Sequence, residues 1–478
     1  MGAPLALKAP SARAEDPQPG RKPKFLITLT AYGGASIIDS LMAVRRSECP
    51  QASVLNVLED ADVRDVPGTP FRAVRQRGRL DSIQLDYDAD QFEFVRKHAQ
   101  DMLVMTQTVT SVNHETAQWR AMTGNGAWGG RTLQEACAAY YGESMPLPNV
   151  ALTTGSGFVR RGGDRTLESR FAAEVVPDPS TWPLSLSAVA GIQGAPSPGL
   201  MRHARAMRDE VLDAQGAFGQ VFGASPRLRR WTQQRVEAAS RLEGADLVSK
   251  LMVRGDSAAF PLGEYGVQSN PDLERLQQQF GAMQDDPVEA QAALAFLLLK
   301  HRVASAVTLG PNASSIFGPG GGSGGINWIQ TPIGFDYSHI SHRGVQAFMW
   351  ARVMSLADRL IELLKAEPFD DAESLWDRTV LYIATDFGRI RTRPPNQTDW
   401  SSGHDLNNGV VVISPSVRGN TILGGVDPAT TLTYGADLRT GAPAPGTHFN
   451  EAHAYALVAQ ALGIEGIPGL PDMSWAVR

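Results

Sequence analysis

The side chains able to do polar chemistry gather in a few short stretches: Asp39 with Ser40; Thr110, Ser111, Asn113 and His114; Asp336, His339 and His342; Asp386; and His404 with Asp405. Most of them follow a short apolar run, and in an open α/β sheet ligands bind beyond the carboxyl ends of the strands. Carboxylate oxygens and neutral imidazole nitrogens are the ligands of Zn and Mn, and carboxylates also suit Ca, so such a set points to a divalent metal ion. Each residue has a plainer reading as well. An Asp after a strand caps a turn or helix, and an isolated His is usually a hydrogen-bonded structural residue. His98 and His203 fall on segments that read as surface helices and serve as bystanders.

The elements that must position these residues are legible as runs of type. Phe25 to Thr30 is a short, β-branched apolar run leading into Gly33-Gly34, and it reads as a buried first strand ending in a turn. Met102 to Met105, Asn149 to Leu152, Val303 to Leu309, Thr379 to Ala384 and Gly409 to Ile413 read as further strands. Helices are expected from about Ala117, over Arg131 to Tyr141, over Val345 to Lys365, and over Ala452 to Leu462 before Gly463. From Met201 to about Arg302 apolar residues recur at spacings of three and four, which predicts a mostly helical segment at about 201–302. Gly310 to Gly334 is rich in Gly, Ser and Asn, and a long irregular stretch in a compact domain is commonly functional. Alternating strands and helices predict an α/β fold: a mostly parallel sheet sandwiched by helices, with a helical insertion. The expected organisation is one domain over 24–478 after an arm at 1–23.

Composition excludes several classes. The 478 residues carry 44 Lys and Arg against 50 Asp and Glu, a net charge of −6, and no basic stripe, so a nucleic-acid partner is not expected. The longest apolar run, Ala292 to Leu299, falls short of the roughly 18 residues a membrane span needs. Two cysteines, Cys49 and Cys137, cannot build a disulfide framework, although one bridge is open to them. Ala12-Arg13-Ala14 before Glu15-Asp16 has the small-x-small form of a signal-peptidase site, yet Pro4, Lys8 and Pro10 interrupt any apolar region before it. A remnant export signal and a Pro/Ala arm are both open.

Val380 to Arg389, followed by Gly403-His404-Asp405, resembles a late motif of the alkaline phosphatase and sulfatase superfamily, in which an apolar strand ends in an acidic metal ligand and a histidine ligand follows. Four blocks in order resemble a bacterial family within it, the exported sulfatase-like domain of unknown function often preceded by a twin-arginine signal. They are the strand into Gly33-Gly34; Asn113-His114-Glu115-Thr116-Ala117-Gln118 with Trp128-Gly129-Gly130-Arg131; Gly334-Phe335-Asp336-Tyr337-Ser338-His339; and Asp386-Phe387-Gly388-Arg389 through Val426-Asp427. The resemblance implies an alkaline-phosphatase-like fold, export to the periplasm or cell surface, and metal-dependent hydrolysis of an anionic phosphate or sulfate ester. It implies metal ligands among Asp39, Asp336, His339, His342, Asp386 and His404, with Asn113, His114 or Arg389 acting on the substrate. The competing class is an inert exported binding or structural protein of the same fold.

Departures from that pattern shape the expectation. The first-strand aspartate would fall near Ser36, leaving Asp39 as an offset substitute. The Asp-x-His pair is stretched by one residue, so His339 or His342 supplies the imidazole. Phe387 stands where alkaline phosphatases carry a histidine for a second metal, which argues against a complete two-metal clamp. Neither Cys49-Pro50 nor Cys137-Ala138 continues as the Cys/Ser-x-Pro-x-Arg motif that yields formylglycine. Thr110 or Ser111 is then the candidate nucleophile, an alcohol that needs a metal or base to act; a turn-forming Ser/Thr pair is the alternative. Gly321 to Gly325 fits the spelling of a nucleophile elbow, but its serine lies in polyglycine rather than between strand and helix. Asp386-Phe387-Gly388 lacks the other kinase motifs, and no Gly-Lys-Ser/Thr ends a phosphate loop.

Overall fold

The computed structural model describes residues 22–82, 85–153, 156–186, 192–230, 232–233, 247–311, 334–395 and 397–478. The signal-peptidase-like site and the serine of the polyglycine stretch lie outside these residues.

Strand β1 (Phe25–Ala31) is buried along its whole length. A strand covered on both faces needs no polar alternation, which is why it reads as a continuous apolar run. The chain continues through β2 (Met102–Thr108), α1 (His114–Thr123), α2 (Leu133–Tyr141), β3 (Asn149–Ala151) and β4 (Glu174–Val175). It then forms α3 (Pro287–Lys300), β5 (Ala306–Leu309), α4 (His342–Ala366), β6 (Thr379–Thr385), β7 (Asn407–Ile413), β8 (Thr421–Leu423) and α5 (Glu451–Ala461). Together the strands make an eight-stranded sheet in the order β8-β2-β7-β6-β1-β5-β3-β4. All neighbours are parallel except β7, which runs antiparallel to both β2 and β6. Parallel strands need a crossover, usually helical. Among the described residues between β6 and β7 there is no helix, only a small two-stranded antiparallel pair of Gly388–Arg389 with His404–Asp405, so β7 returns against β6.

Helices cover both faces, giving the expected mixed α/β architecture, consistent with an alkaline-phosphatase-like arrangement. On one face α3 and α4 pack through Leu294, Leu298, Trp350 and Leu360 onto Ile27, Leu29 and Ile383. On the other α2 and α5 pack through Leu133, Cys137, Tyr455 and Val458 onto Leu26, Met105, Val380 and Val412. Helix α3 is apolar nearly all round because it is buried nearly all round.

Three features differ from the sequence expectation. Among the described residues the span 201–302 is largely helical and ends in α3, but the stretch 252–272 within it is turn-rich, with Pro261, Gly263, Gly266 and Pro271 breaking the helical period. A hairpin of Arg72–Leu80 with Leu85–Asp90 forms where the sequence shows no alternating apolar run. Its signal is charge complementarity rather than hydrophobicity: Arg75, Arg77 and Arg79 sit opposite Asp90, Asp88 and Asp86 across the ladder. His98 is buried rather than a surface bystander, with Nε2 2.8 Å from Asp358 Oδ1; His203 is exposed. Both cysteines are free and buried. Among the described residues no helix is long and apolar enough to cross a membrane.

Candidate metal centre

The carboxyl ends of β1, β2 and β6 meet at one rim. After β1, Gly33 and Gly34 take φ of +95° and +85°, a conformation that costs glycine nothing and turns both N–H groups toward the end of β6. They donate to Asp386, Gly33 at 3.3 Å and Gly34 at 2.7 Å. Asp386 is fully buried and also accepts from Gln118 Nε2 at 3.1 Å and from its neighbour's amide, Phe387 N–H, at 3.2 Å, while its Oδ2 lies 2.8 Å from His114 Nδ1. His114 and Gln118 stand one helical turn apart at the start of α1, so both reach the same carboxylate. Asn113 caps that helix by accepting from Thr116 N–H at 3.1 Å. Gly33 has a second constraint: a Cβ there would lie 2.2 Å from the Asp336 amide nitrogen. Gly33→Ala is therefore expected to lower stability by about 2 kcal/mol or more, from backbone strain plus steric overlap. Chemical denaturation checks this.

Four residues converge beyond that rim. One ligand atom each from His114, Asp336, His339 and His404 lies within 4.8 Å of all the others. His114 Nε2 is 3.2 Å and His339 Nε2 3.4 Å from Asp336 Oδ1; His404 Nε2 is 3.9 Å from it and 2.8 Å from His339 Nε2. Four donors placed tetrahedrally at zinc's bond lengths stand about 3.3 Å apart; the four contacts scatter around that value, from 2.8 to 3.9 Å. The outer contacts match those of a metal site. His114 directs Nδ1 at Asp386, and His404 directs Nδ1 at the Val112 carbonyl, 2.8 Å away. A ligating histidine typically commits its other nitrogen to a carboxylate or carbonyl in this way, which leaves the Nε2 lone pair facing inward. This His/Asp group could bind a metal ion.

Arg389 is buried against the same group. Its Nη2 donates to Asp336 Oδ1 at 2.8 Å and to the Gly33 carbonyl, its Nη1 donates to the Ser402 carbonyl at 3.2 Å, and Nη1 lies 3.2 Å from His339 Nε2. Burial, reinforced by this guanidinium, pushes His404 down to about 4 and also lowers His339, so both are neutral imidazoles at neutral pH. Burial opposes charge on His114 too, but Asp336 and Asp386 outweigh it and raise that imidazole to about 9. Burial likewise works against ionised Asp336, and His114 with Arg389 overcomes it, holding the carboxyl at about 2.

Asp39 and His342 form a separate buried group. Asp39 Oδ2 is 3.1 Å from His342 Nε2, Asp39 Oδ1 accepts from Arg343 at 2.9 Å, and Asn56 Nδ2 donates to Asp39 Oδ2 at 2.9 Å. His342 Nδ1 lies 2.8 Å from Ser402 Oγ. This is a Ser–His–Asp sequence of contacts, but all three residues are buried and Ser402 uses its carbonyl to hold Arg389, so the group braces the centre from behind. Burial opposes the Asp39 charge, yet His342 and Arg343 hold it near 2. The sign is that of a depressed carboxyl: the stabilisation is present above about pH 4 and lost as pH falls toward 2. Arg343→Met takes the guanidinium away from that buried carboxylate, leaving it His342 and Asn56, and is expected to cost about 3 kcal/mol in urea denaturation at neutral pH.

Thr110 and Ser111 lie on the loop between β2 and α1. The Thr110 hydroxyl donates to Glu451 Oε1 at 2.7 Å and accepts from Arg120 at 3.1 Å; Ser111 Oγ accepts from Asn113 N–H at 3.2 Å. Phe387 stacks on the His404 ring with centroids 4.1 Å apart, so an apolar ring packs against one side of the group. Gln118, Arg343, Asn56, Ser402 and Glu451 join the site only through tertiary contacts. Gln118 alone has a usable sequence signal, its i+4 spacing from His114.

Fold and site together define an α/β protein with a mostly parallel sheet and a His/Asp group at its carboxyl rim that could hold a metal. No family model matches the chain, and no curated protein does. A solved structure that matches is titled the crystal structure of Ps i-CgsB in complex with k-i-k-neocarrahexaose; the match covers 93% of this chain and 73% of that one, with 9% identity and a TM-score of 0.29. At that level the likeness carries no argument about function.

Proposed function

We propose that the protein is a metal-dependent hydrolase of an anionic ester, a phosphate or a sulfate. The observation that carries this reading is the inward-facing His114, Asp336, His339 and His404 set with the outer nitrogens of His114 and His404 already committed. A divalent ion held there would polarise an ester oxygen and lower the pKa of a water. Three imidazole nitrogens favour zinc or manganese over calcium, which takes oxygen ligands. Arg389 supplies buried positive charge beside the centre, suited to steadying an anionic group as charge develops on it. Asn113 is committed to capping α1, so the electrostatic role falls to Arg389. The Thr110 hydroxyl has a proton acceptor in Glu451 and is a candidate nucleophile; a water is the alternative attacker. Export of the chain is a separate proposal, checked by cell fractionation of the full-length product.

One observation favours the inert alternative. Arg389 and His114 already satisfy Asp336 and Asp386, so the charges of the centre balance without an ion. Turnover of aryl phosphate and aryl sulfate with added zinc or manganese decides between the two. Hydrolysis lost in Asp336→Ala supports the hydrolase; no turnover in metal-loaded protein supports the inert protein. Activity surviving a Thr110→Ala, Ser111→Ala double variant assigns the attack to water.

A further inference from the structure

We propose that residues 198–230 form a surface that docks on an anionic lipid bilayer, independently of the metal centre. The helix Pro198–Ala206 continues through Met207–Leu212. Leu200, Met207 and Val211 recur on it at spacings of seven and four, which places them along one stripe. They are 58%, 50% and 39% exposed. The following helix, Ala217–Phe222, adds Phe218, Val221 and Phe222 at 65%, 70% and 52%. The two phenylalanine rings lie 5.0 Å apart, so they make one continuous ridge. Beside it an open trough of about 900 Å³ is lined by Leu212, Phe218 and Leu228, with Asp209, Asp213 and Arg229 as its charged side chains. A soluble surface rarely leaves so many large apolar side chains together unless something covers them.

Charge selects the occupant. Residues 198–230 contain six arginines against Asp209, Glu210 and Asp213, a net charge of +3 in a chain whose total is −6. An apolar ridge on a segment of net positive charge matches the anionic headgroups and acyl boundary of a bilayer, where the aromatic and aliphatic side chains leave water and the arginines meet phosphate. Face-to-face pairing with a second copy would instead bring two positive lobes together. The helices are too short and too charged to cross, so they would lie on the surface.

The test is cosedimentation of the full chain with vesicles of phosphatidylcholine alone or containing about a third phosphatidylglycerol. Binding is expected to the anionic vesicles only, to weaken in about 0.5 M salt, and to fall at least about tenfold in a Phe218→Ser, Phe222→Ser variant whose melting temperature is unchanged. Both rings are already in water, so this variant leaves the core intact. Absence of binding to anionic vesicles overturns the proposal, as does equal binding by the variant. A wild-type dimer that the variant turns into a monomer also overturns it, by showing that a second copy covers the ridge.

Discussion

Purified protein is expected to bind about one zinc or manganese ion per chain, and chelation is expected to lower its melting temperature. An ion present at a hundred times its Kd stabilises the native state by about 2.7 kcal/mol, worth several degrees in a domain of ordinary size. His404→Ala and Asp336→Ala each remove a ligand atom from the four-residue group and are expected to abolish retention. Asp386→Ala is expected to weaken binding about 10–100-fold without removing any of those four atoms, because it frees the His114 ring that it now orients. His203→Ala, on an exposed helix, is the control. Elemental analysis and thermal shift read all four variants. Protein that holds no ion and shows no shift with zinc, manganese or calcium would remove the basis of the hydrolase reading.

Metal affinity is expected to rise steeply with pH. In the metal-free protein Asp336 and Asp386 keep a proton on His114 up to about pH 9. The sign follows from a raised pKa: the stabilisation this ion pair contributes is complete below the ordinary histidine value of about 6.5 and is lost as pH rises through about 9. A metal ion can use Nε2 only by displacing that proton. His404 and His339 are already neutral in this window. One proton should therefore leave per ion bound, and apparent affinity should rise about tenfold per pH unit between about pH 6.5 and 9, then level off. Titration calorimetry in buffers of different ionisation enthalpy measures the proton count directly. A flat profile would exclude His114 as a ligand.

Most of the strands and helices that build the rim could be read from local pattern. β1, β2, β6 and β7 are apolar runs because they are covered on both faces, and α4 shows its buried stripe at helical spacing. The charged hairpin of Arg72–Leu80 and Leu85–Asp90 escaped that pattern because cross-strand ion pairs, not alternating hydrophobicity, mark its register. Among site residues, the types and their order along the chain singled out His114, Asp336, His339, Asp386, Arg389 and His404. Their division of labour was not legible, because it depends on which oxygen or nitrogen faces which.

The sequence by itself determined a covered, mostly parallel sheet, the Gly33-Gly34 turn after its first strand, and a set of carboxylates and imidazoles at strand ends, because burial and backbone conformation act on neighbours along the chain. Only the tertiary structure decided that Asp386 is spent on the two glycine amides, Gln118 and His114, while Asp336 faces inward. It also separated Asp39 and His342, as a buried brace, from the His114, Asp336, His339 and His404 group. Those choices rest on contacts between residues as much as 353 positions apart, Gly33 with Asp386 being the farthest of these. A few ångströms in sheet register and helix placement set them, and no local pattern encodes that distance.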